Sequence, residues 1–436
     1  MPRVSIVIPT RNRAHLLKVA LRSALRQTWQ DLEILVSDNY CGNEETRKVY
    51  ESFPDPRLRY VRTDRLLAMP DSWEFALSHA TGEYVTILSD DSYFLPYAIE
   101  RGMAAVREYK LDLAAWNICT YYSPDWFEPH LRNHLFVADP PYNTLVLSSQ
   151  DVLRELFDLQ LHLATHMPRF LNSICHQRLA TRVLQRQGRM FIPPCPDYSA
   201  AAGLLLNTDK YVFVGWPLGI NGATPQSIGF TLEFNKGEAF KEFLGEFEET
   251  GFRKMIDLEL ATVSVSVAQT LEMVKRSCSP GCIPYQVNRW NMLRQSIKSL
   301  AVNERNGADV AEAWRILDRY IASQPEDVKR TAVMQKRHSR FRGMLRRPVV
   351  RMIHSFPGWE YLSRLRGQNV FHGARYSFQN MEQCGQVAPQ LIARVAGSEG
   401  TGARRTTEER RSAKDQTDSA LSSSGARNES RSGFTQ

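Results

Sequence analysis

The sequence predicts an α/β fold in which a doubly wound, mixed sheet is followed by a helical C-terminal region. Three runs of β-branched and aliphatic residues, at 3–9, 32–37 and 84–88, are typical of buried strands. Segments with helical spacing separate these runs. Strands that alternate with helices over the first 100 residues indicate a sheet with helices on both faces.

The first strand ends at Pro9, and Thr10 or Asn12 is expected to cap the helix that follows. In that helix Leu17, Leu21 and Leu25 recur every four residues, as on the buried stripe of an amphipathic helix. The later elements of this half also alternate: they are a helix at 44–50, a strand at 57–61 and a helix at 73–79.

The alternation continues beyond residue 110 and then gives way to helices. Two strands are expected at 111–120 and 211–218, two helices at 151–157 and 177–187, and three later helices at 253–275, 286–301 and 308–323. From Gly397 onward apolar residues nearly vanish, so this tail cannot bury enough surface to offset the entropy of ordering and is predicted to be disordered.

The composition is that of a globular protein, with 43% hydrophobic residues in a chain of 436. The chain has no run of about 18 apolar residues, so a transmembrane helix is not expected. The apolar run at the N-terminus is too short for a signal peptide, and a cytoplasmic location is therefore expected. The seven cysteines are odd in number and irregularly spaced, which predicts reduced thiols.

Positive charge is concentrated in residues 336–366, where nine Lys or Arg against the single acid Glu360 give 9 − 1 = +8. Large apolar residues are interleaved with these charges. This pattern suits a helix that lies peripherally on the anionic inner face of a membrane, and it suits equally a packed helix with a charged face. Because no nucleic-acid-binding module surrounds the segment, nucleic acid is not an expected partner.

Polar side chains follow the predicted strands at the point where each strand ends. Thr10, Asp38, Asp90 and Asp91 all lie at such ends, and ligands of doubly wound sheets bind beyond the carboxyl ends of the strands. Adjacent carboxylates repel each other unless a cation lies near them, and Mn²⁺ or Mg²⁺ prefers carboxylate and phosphate oxygens. Asp90 and Asp91 are therefore either a metal site or simply a polar turn after a strand.

Four segments, taken together and in this order, resemble the family-2 glycosyltransferases, which have the GT-A fold. They are VSIVIPTRNR at 4–13, SALRQT at 23–28, LEILVSDN at 32–39 and ATGEYVTILSDD at 80–91. The resemblance implies an inverting, hexosyltransferase-like enzyme that moves a sugar from a nucleotide diphosphate donor, a UDP-sugar, to an acceptor hydroxyl. Such a reaction serves cell-surface polysaccharide or glycan synthesis, with a glycan or a lipid-linked molecule as acceptor.

The resemblance also implies roles for residues that bind the donor. Pro9 and Thr10 would line the nucleotide base, and Asp38 would accept a hydrogen bond from it. Asp91 would hold a divalent Mn²⁺ or Mg²⁺ against the donor diphosphate, with Asp90 beside it near the ribose and the ion. The sequence departs from the family at Ser89, where many members have Asp, and at residues 39–41, where Asn-Tyr-Cys replaces acidic and small residues.

An inverting transferase needs a carboxylate that takes the proton from the acceptor hydroxyl. The resemblance implies Asp197 for this role, although an aspartate there can equally be the N-cap of a helix that starts at Tyr198. Asp209 is a weaker candidate, because it lies in a turn before a strand. His176 could contact the donor diphosphate or the acceptor, although a lone histidine is more often structural.

Residues 219–229 resemble the mobile lid of the family, with Asn221, Thr224 and Ser227 as its polar members. A lid excludes the water that would hydrolyse the activated sugar, whereas the alternative is an ordinary surface loop. Arg11 and Arg13 follow the first strand. They could approach the donor diphosphate, but we expect them to be solvated residues at the start of the helix.

Two other functions are compatible with the sequence. One is a catalytically inactive glycosyltransferase-like binding module. The other is a nucleotidyltransferase on a related fold, although the glycine-rich phosphate loop of such enzymes is missing because the first glycine is Gly42. The predicted organisation is a GT-A domain at 1–235 (nucleotide-binding half 1–110, acceptor half 111–235), a helical annex at 236–335, a basic amphipathic segment at 336–396 and the tail at 397–436.

Overall fold

A computed structural model describes residues 4–161, 166–227, 229, 255–278, 281–305, 308–355 and 369–397, with the backbone alone for 342–355. The predicted disordered tail and residues 356–366 of the basic segment lie outside these residues. Within them, eleven strands form one mixed sheet. The strands are β1 (Val4–Thr10), β2 (Leu32–Asp38), β3 (Leu58–Arg62), β4 (Tyr84–Ile87), β5 (Tyr93–Phe94), β6 (Leu113–Tyr122), β7 (His134–Val137), β8 (Thr144–Ser148), β9 (Ser173–His176), β10 (Lys210–Ala223) and β11 (Asn369–His372).

Strand β1 is an interior strand of the sheet, and all seven of its residues are buried. It pairs in parallel with β2 on one side and with β4 on the other. The order along the sheet is β11-β7-β6-β9-β4-β1-β2-β3, while β10 joins β5, β6 and β8. The mixed, doubly wound α/β sheet of the GT-A type and the helical C-terminal region are thereby confirmed.

Helices cover both faces of the sheet. In chain order they are α1 (Ala14–Leu25), α2 (Glu45–Glu51), α3 (Met69–Ser78), α4 (Ala98–Tyr109), α5 (Ser149–Phe157), α6 (Gln177–Gln187), α7 (Pro196–Leu206), α8 (Val263–Ser277), α9 (Arg289–Arg305), α10 (Ala311–Ala322), α11 (Glu326–Ser355), α12 (Gly373–Tyr376) and α13 (Met381–Gly397). Among these elements, no helix combines the length and apolarity that a membrane span requires.

Each face has its own hydrophobic core. Leu17 and Leu21 of α1 pack with Ile99 and Met103 of α4 on one face. On the other face α5, α6 and α7 share a single core with the later helices, to which α8 contributes Leu271. The helices α8 to α10 therefore bury their apolar stripes against the sheet domain.

Three local predictions about helices need correction. Neither Thr10 nor Asn12 caps α1, because Arg13 holds the N-cap position and no side chain caps the helix. Helix α3 begins at Met69, four residues before the predicted start, since the helical spacing was followed only from its first aromatic residue. Helix α8 begins at Val263 rather than at 253, and Thr262 caps it by accepting a hydrogen bond from the Val265 N–H.

The chain returns to the sheet after the basic segment. Strand β11 pairs antiparallel with β7 and extends the edge of the sheet. Helix α13 then packs on Tyr93, which is 1% exposed. Glu382 in this helix forms an ion pair with Arg22 of α1 at 2.6 Å and another with Arg26 at 3.4 Å. All seven cysteines are free thiols, as predicted.

The packing of α13 on the sheet depends on Gly385. A Cβ atom at this position would lie 2.5 Å from the buried ring of Tyr93. We expect Gly385→Ala to lower the free energy of unfolding by about 1–3 kcal/mol, because neither the helix nor the ring has room to move. Urea denaturation measures this change. The matched control is Gly42→Ala, where nothing lies within 4 Å of the added Cβ, and equal stability of the two variants would contradict the packing described here.

Candidate active site

The register of the central strands brings the predicted polar residues to one edge of the sheet. Thr10 is directly opposite Asp38 in the β1–β2 pair. Val7 is opposite Ile87 in the β1–β4 pair, which brings Thr10 level with Asp90 just beyond β4. The chain leaves β1 toward β2 on one side and returns through β4 on the other, and the crevice at such a reversal is where open α/β sheets bind ligands.

Asp90 is wholly buried and is paired with Arg13. The Arg13 Nη2 lies 2.7 Å from Asp90 Oδ1, and Arg13 Nε donates to Oδ2 at 3.1 Å. The Thr10 hydroxyl also donates to Oδ2, at 2.7 Å. Burial raises the pKa of the Asp90 carboxyl to about 6, with the guanidinium and the hydroxyl opposing that rise. Oδ2 therefore accepts two hydrogen bonds, whereas Oδ1 lies at ion-pair distance from the guanidinium but accepts no hydrogen bond.

These contacts correct the expectation for Arg13. Its side chain is 21% exposed and pairs with a carboxylate, rather than being solvated at the start of the helix. An arginine at the positive end of a helix is unfavourable unless a nearby anion compensates for it, and Asp90 is that anion. The sequence could not reveal the pair, because the partners are 77 residues apart.

Asp91 has different surroundings from its neighbour. Its side chain is 10% exposed and lines a pocket at the carboxyl edge. Ser89 Oγ donates to Oδ1 at 2.6 Å, and Ser227 Oγ donates to Oδ2 at 2.6 Å. The departure from the family at Ser89 therefore supplies a hydroxyl that orients Asp91. β10 approaches this turn so closely that a Cβ on Gly222 would lie 2.0 Å from the Asp91 carbonyl oxygen.

The pocket has a volume of about 330 Å³ and brings together residues from distant parts of the chain. The strand ends and the adjoining turn contribute Pro9, Arg13 and Asp91. The other lining residues include Met69 and Trp73 of α3, Arg169, and the start of α7 with Cys195, Asp197 and Tyr198.

Asp197 lies in the first turn of α7, with Cys195 at the N-cap position, so it is not the N-cap residue itself. The Arg169 Nη1 lies 4.0 Å from Asp197 Oδ2. Burial raises the pKa of Asp197, and the positive charge of Arg169 opposes that rise. Asp209, the weaker candidate, does not line the pocket; its carbonyl accepts a hydrogen bond from the Ser149 N–H at the start of α5.

Asp38 is 1% exposed and does not line the pocket. Its Oδ2 accepts a hydrogen bond from the Tyr60 hydroxyl at 2.6 Å, and its Oδ1 accepts one from the Cys41 N–H at 2.9 Å. The unusual Asn39 beside it bonds to both the N–H and the carbonyl of Leu67. The residues that depart from the family after β2 thus fix the turn and the loop before α3.

The structure contradicts the donor-binding role expected of His176. β9 pairs antiparallel with β4, and His176 is opposite Tyr84, the first residue of β4. It therefore lies at the edge of the sheet opposite to Asp91, roughly 20 Å away at about 3.3 Å per strand residue. Its ring caps α6 by accepting a hydrogen bond from the Arg178 N–H at 3.1 Å.

The three residues of the predicted lid occupy different settings. Asn221 belongs to β10 and lines the pocket. Thr224 and Ser227 are buried in the turn that follows, with their hydroxyls 3.0 Å apart. Residue 228 and the stretch 230–254 lie outside the described residues, so the lid stays a prediction.

No group of three or more His, Cys, Asp or Glu side chains that could hold a metal ion occurs in the part of the chain that the structure describes. An ion that also binds donor phosphates needs only one or two carboxylates from the protein. Asp91 fits this requirement because its carboxylate borders the pocket. Asp90 does not fit, because a guanidinium already occupies it.

Sequence reasoning missed Arg169 and Trp73. Arg169 belongs to no regular element, so no periodicity singles it out. Trp73 was assigned only to a helix, where an aromatic residue is normally part of the core. The indole packs edge-on against Phe191, with ring centroids 5.3 Å apart, and also lines the pocket.

Residues 5–178 match the model of glycosyl transferase family 2. Over 111 residues the chain is 34% identical to a GalNAc(5)-diNAcBac-PP-undecaprenol beta-1,3-glucosyltransferase from Campylobacter jejuni, which aligns 25% of this chain and 36% of that protein. Over 97 residues it is 28% identical to a UDP-Glc:alpha-D-GlcNAc-diphosphoundecaprenol beta-1,3-glucosyltransferase from Escherichia coli, covering 22% and 38%. The chain thus spans less than two fifths of the length of either relative.

Among solved structures, the chain resembles S. aureus TarS 1–349 in complex with UDP-GlcNAc. The TM-score is 0.44 at 12% sequence identity, and the superposition covers 78% of this chain and 89% of that one.

The assignment of His176 to a structural role can be tested directly. We expect His176→Ala to lower the free energy of unfolding by roughly 1 kcal/mol, because the N-cap acceptor of α6 is lost, and His176→Asn to restore most of it. Thermal denaturation measures this difference. Nucleotide affinity of both variants should equal that of the unchanged protein. Weaker nucleotide binding by both variants would instead support a donor-binding role for His176.

Proposed function

We propose that this chain, whose residues 5–178 form a family-2 glycosyltransferase domain, transfers a sugar with inversion from a UDP-sugar to an acceptor hydroxyl. The observation that carries the proposal is the pocket at the carboxyl edge, where Asp91, Arg13 and Asp197 converge from three separated segments. A diphosphate leaving group needs positive charge, and an attacking hydroxyl needs a base. This pocket has candidates for both.

Asp91 is the proposed ligand of a divalent cation, Mn²⁺ or Mg²⁺. The ion would neutralise the charge that builds on the diphosphate as its bond to the sugar breaks. The hydroxyls of Ser89 and Ser227 support this role, because they hold both carboxylate oxygens at the border of the pocket. The contribution of Asp90 to the metal, which the sequence suggested, is not part of this proposal.

Pro9 lines the pocket and is proposed to contact the nucleoside. Thr10 serves the donor indirectly, since its hydroxyl is committed to Asp90. That Asp38 accepts a hydrogen bond from the base stays a prediction. Its carboxylate already accepts from Tyr60 and Cys41, although each oxygen has a second lone pair.

Asp197 is the proposed general base. It lines the same pocket as Asp91, and its side chain is 22% exposed, so an acceptor hydroxyl can approach it. A carboxylate with a raised pKa is a stronger base toward the acceptor hydroxyl. Arg169 supports the role, because its charge favours the ionised carboxylate.

The proposed acceptor is lipid-linked. This is supported by two relatives whose names specify undecaprenol-linked acceptors and glucosyl transfer. Such an acceptor requires approach to a membrane, and we propose peripheral contact at the cytoplasmic face through the basic segment 336–366. In the described part of α11, Met334 and Phe341 are 64% and 57% exposed, which fits contact with lipid.

The test of the proposed function is calorimetry with a panel of sugar nucleotides, with and without Mn²⁺, followed by assay of transfer to an undecaprenyl diphosphate-linked sugar. We expect at least one UDP-sugar to bind more tightly with the ion, because the metal bridges Asp91 and the diphosphate. The absence of metal-dependent binding across the panel would refute this function. Binding of a sugar nucleotide without transfer or hydrolysis would instead favour the inactive binding module.

The role of Asp197 predicts a particular pH dependence. The base must be ionised, and its pKa is raised, so activity should fall on the acid side at a pH above the usual range of an aspartate. Arg169→Gln removes the positive charge that lowers this pKa, so the acid limb should move to higher pH. Asp197→Asn should keep donor binding and lose transfer about 10²–10⁴-fold.

The pH profile of kcat/KM, measured with Arg169→Lys as the matched control, tests this assignment. The lysine retains the charge and should leave the acid limb near that of the unchanged enzyme. An acid limb that does not move in Arg169→Gln, or transfer by Asp197→Asn at the original rate, would assign the base to another residue.

A further inference from the structure

The guanidinium of Arg13 has one side committed to Asp90 and the other side directed to the pocket. Nε and Nη2 face the two oxygens of Asp90, at 3.1 and 2.7 Å. Nη1 lies 3.6 Å from Asp91 Oδ2 and 3.5 Å from the carbonyl oxygen of Gln226. Both of these contacts are longer than a good charge-assisted hydrogen bond. The Nη1 group is therefore able to donate a shorter hydrogen bond to an anionic acceptor in the pocket.

Asp90 cannot act as a metal ligand in this arrangement. Its side chain is 0% exposed, and its charge is already balanced by Arg13. A divalent ion at Asp90 would have to compete with the guanidinium, which already lies 2.7 Å from Oδ1 in a buried ion pair. The pair of adjacent carboxylates is thus divided between two cations, an arginine at Asp90 and the proposed ion at Asp91.

We propose that Arg13 binds the diphosphate of the nucleotide donor and that Asp90 is a positioning residue that holds Arg13 in place. This inference rests on the proposed function, and of the two roles that the sequence left open for Arg13 it selects contact with the diphosphate. Arginine suits the task because its planar fork of N–H donors matches the oxygens of a phosphate group. Its position needs no rearrangement on binding, since Asp90 and Thr10 fix it beforehand.

The arrangement gives the diphosphate two sources of positive charge. The ion at Asp91 can be removed by a chelator, whereas Arg13 belongs to the chain. The unchanged protein should therefore retain part of its preference for UDP over UMP in the absence of metal. That residual preference is the property that Arg13 confers.

The decisive variant is the double substitution Arg13→Gln with Asp90→Asn. A single Arg13→Gln substitution leaves the buried Asp90 charge uncompensated and can unfold the domain. The double variant replaces the ion pair with two amides that can bond to each other, so a merely structural function of the pair is preserved. UDP and UMP affinities are measured by calorimetry in EDTA. Lys18→Gln, at an exposed residue of the same helix, is the control for removal of a positive charge away from the pocket.

We expect the double variant to lose about tenfold to a hundredfold in UDP affinity, the effect of removing a hydrogen bond to a charged group. UMP affinity should fall much less, and Lys18→Gln should bind both nucleotides as the unchanged protein does. If the double variant binds UDP as tightly as the unchanged protein, Arg13 serves only to neutralise Asp90 and the proposal is wrong.

A second substitution covers the case in which the double variant does not fold. Arg13→Lys keeps the charge beside Asp90 but cannot bond to the carboxylate and a phosphate with one planar group. It should lose several-fold in UDP affinity relative to UMP. Unchanged discrimination between UDP and UMP in this variant would also overturn the proposal.

The role of Asp90 is tested by adding Mn²⁺. The gain in UDP affinity on adding the ion should persist in the double variant and disappear in Asp91→Asn. Loss of the gain in the double variant would make Asp90 a metal ligand after all. If the unchanged protein binds no UDP, the proposed function itself is refuted. If the unchanged protein binds UDP and the Arg13 variants bind it equally well, only the role of Arg13 is refuted.

Discussion

The buried ion pair between Arg13 and Asp90 is the interaction on which the carboxyl edge of the sheet depends. It joins the turn after β1 to the turn after β4, the two strands between which the sheet reverses its order. Removing either partner would leave a buried charge, at a cost of about 3–5 kcal/mol. The pair therefore fixes the distance between the two turns that border the pocket, and this distance sets the width of the pocket at that edge.

This pair also separates the chemistry of two adjacent aspartates. Asp90 is buried in an ion pair with Arg13. Asp91 instead accepts hydrogen bonds from Ser89 and Ser227 at the border of the pocket. A distant part of the chain packs against Asp91, because Gly222 of β10 lies directly beside the Asp91 backbone carbonyl. The C-terminal helix α13 reinforces the same region by packing on Tyr93 and pairing Glu382 with α1. Residues beyond 368 thus stabilise a site that the first 230 residues build.

Local sequence patterns predicted much of the architecture. The runs that form β1, β2 and β4 are almost continuously apolar, as is typical of strands buried on both faces of a sheet. The polar residues that follow these runs predicted which edge of the sheet binds ligands. The sequence predicted functional roles for Asp91 and Asp197, and both residues line the pocket. His176 was misassigned because its antiparallel strand runs to the opposite edge, and strand direction cannot be inferred from an apolar run alone.

The sequence by itself determined the strand-helix alternation and the strand-end location of Asp38, Asp90 and Asp91. These follow from side-chain periodicity and from the preference of β-branched residues for buried strands, which are local properties. Only the tertiary structure decided which carboxylate faces the ligand, because the partners of Asp90 and Asp91 come from Arg13 and Ser227, 77 and 136 residues away. Two identical side chains acquire different roles when one is neutralised inside the protein and the other remains beside open space.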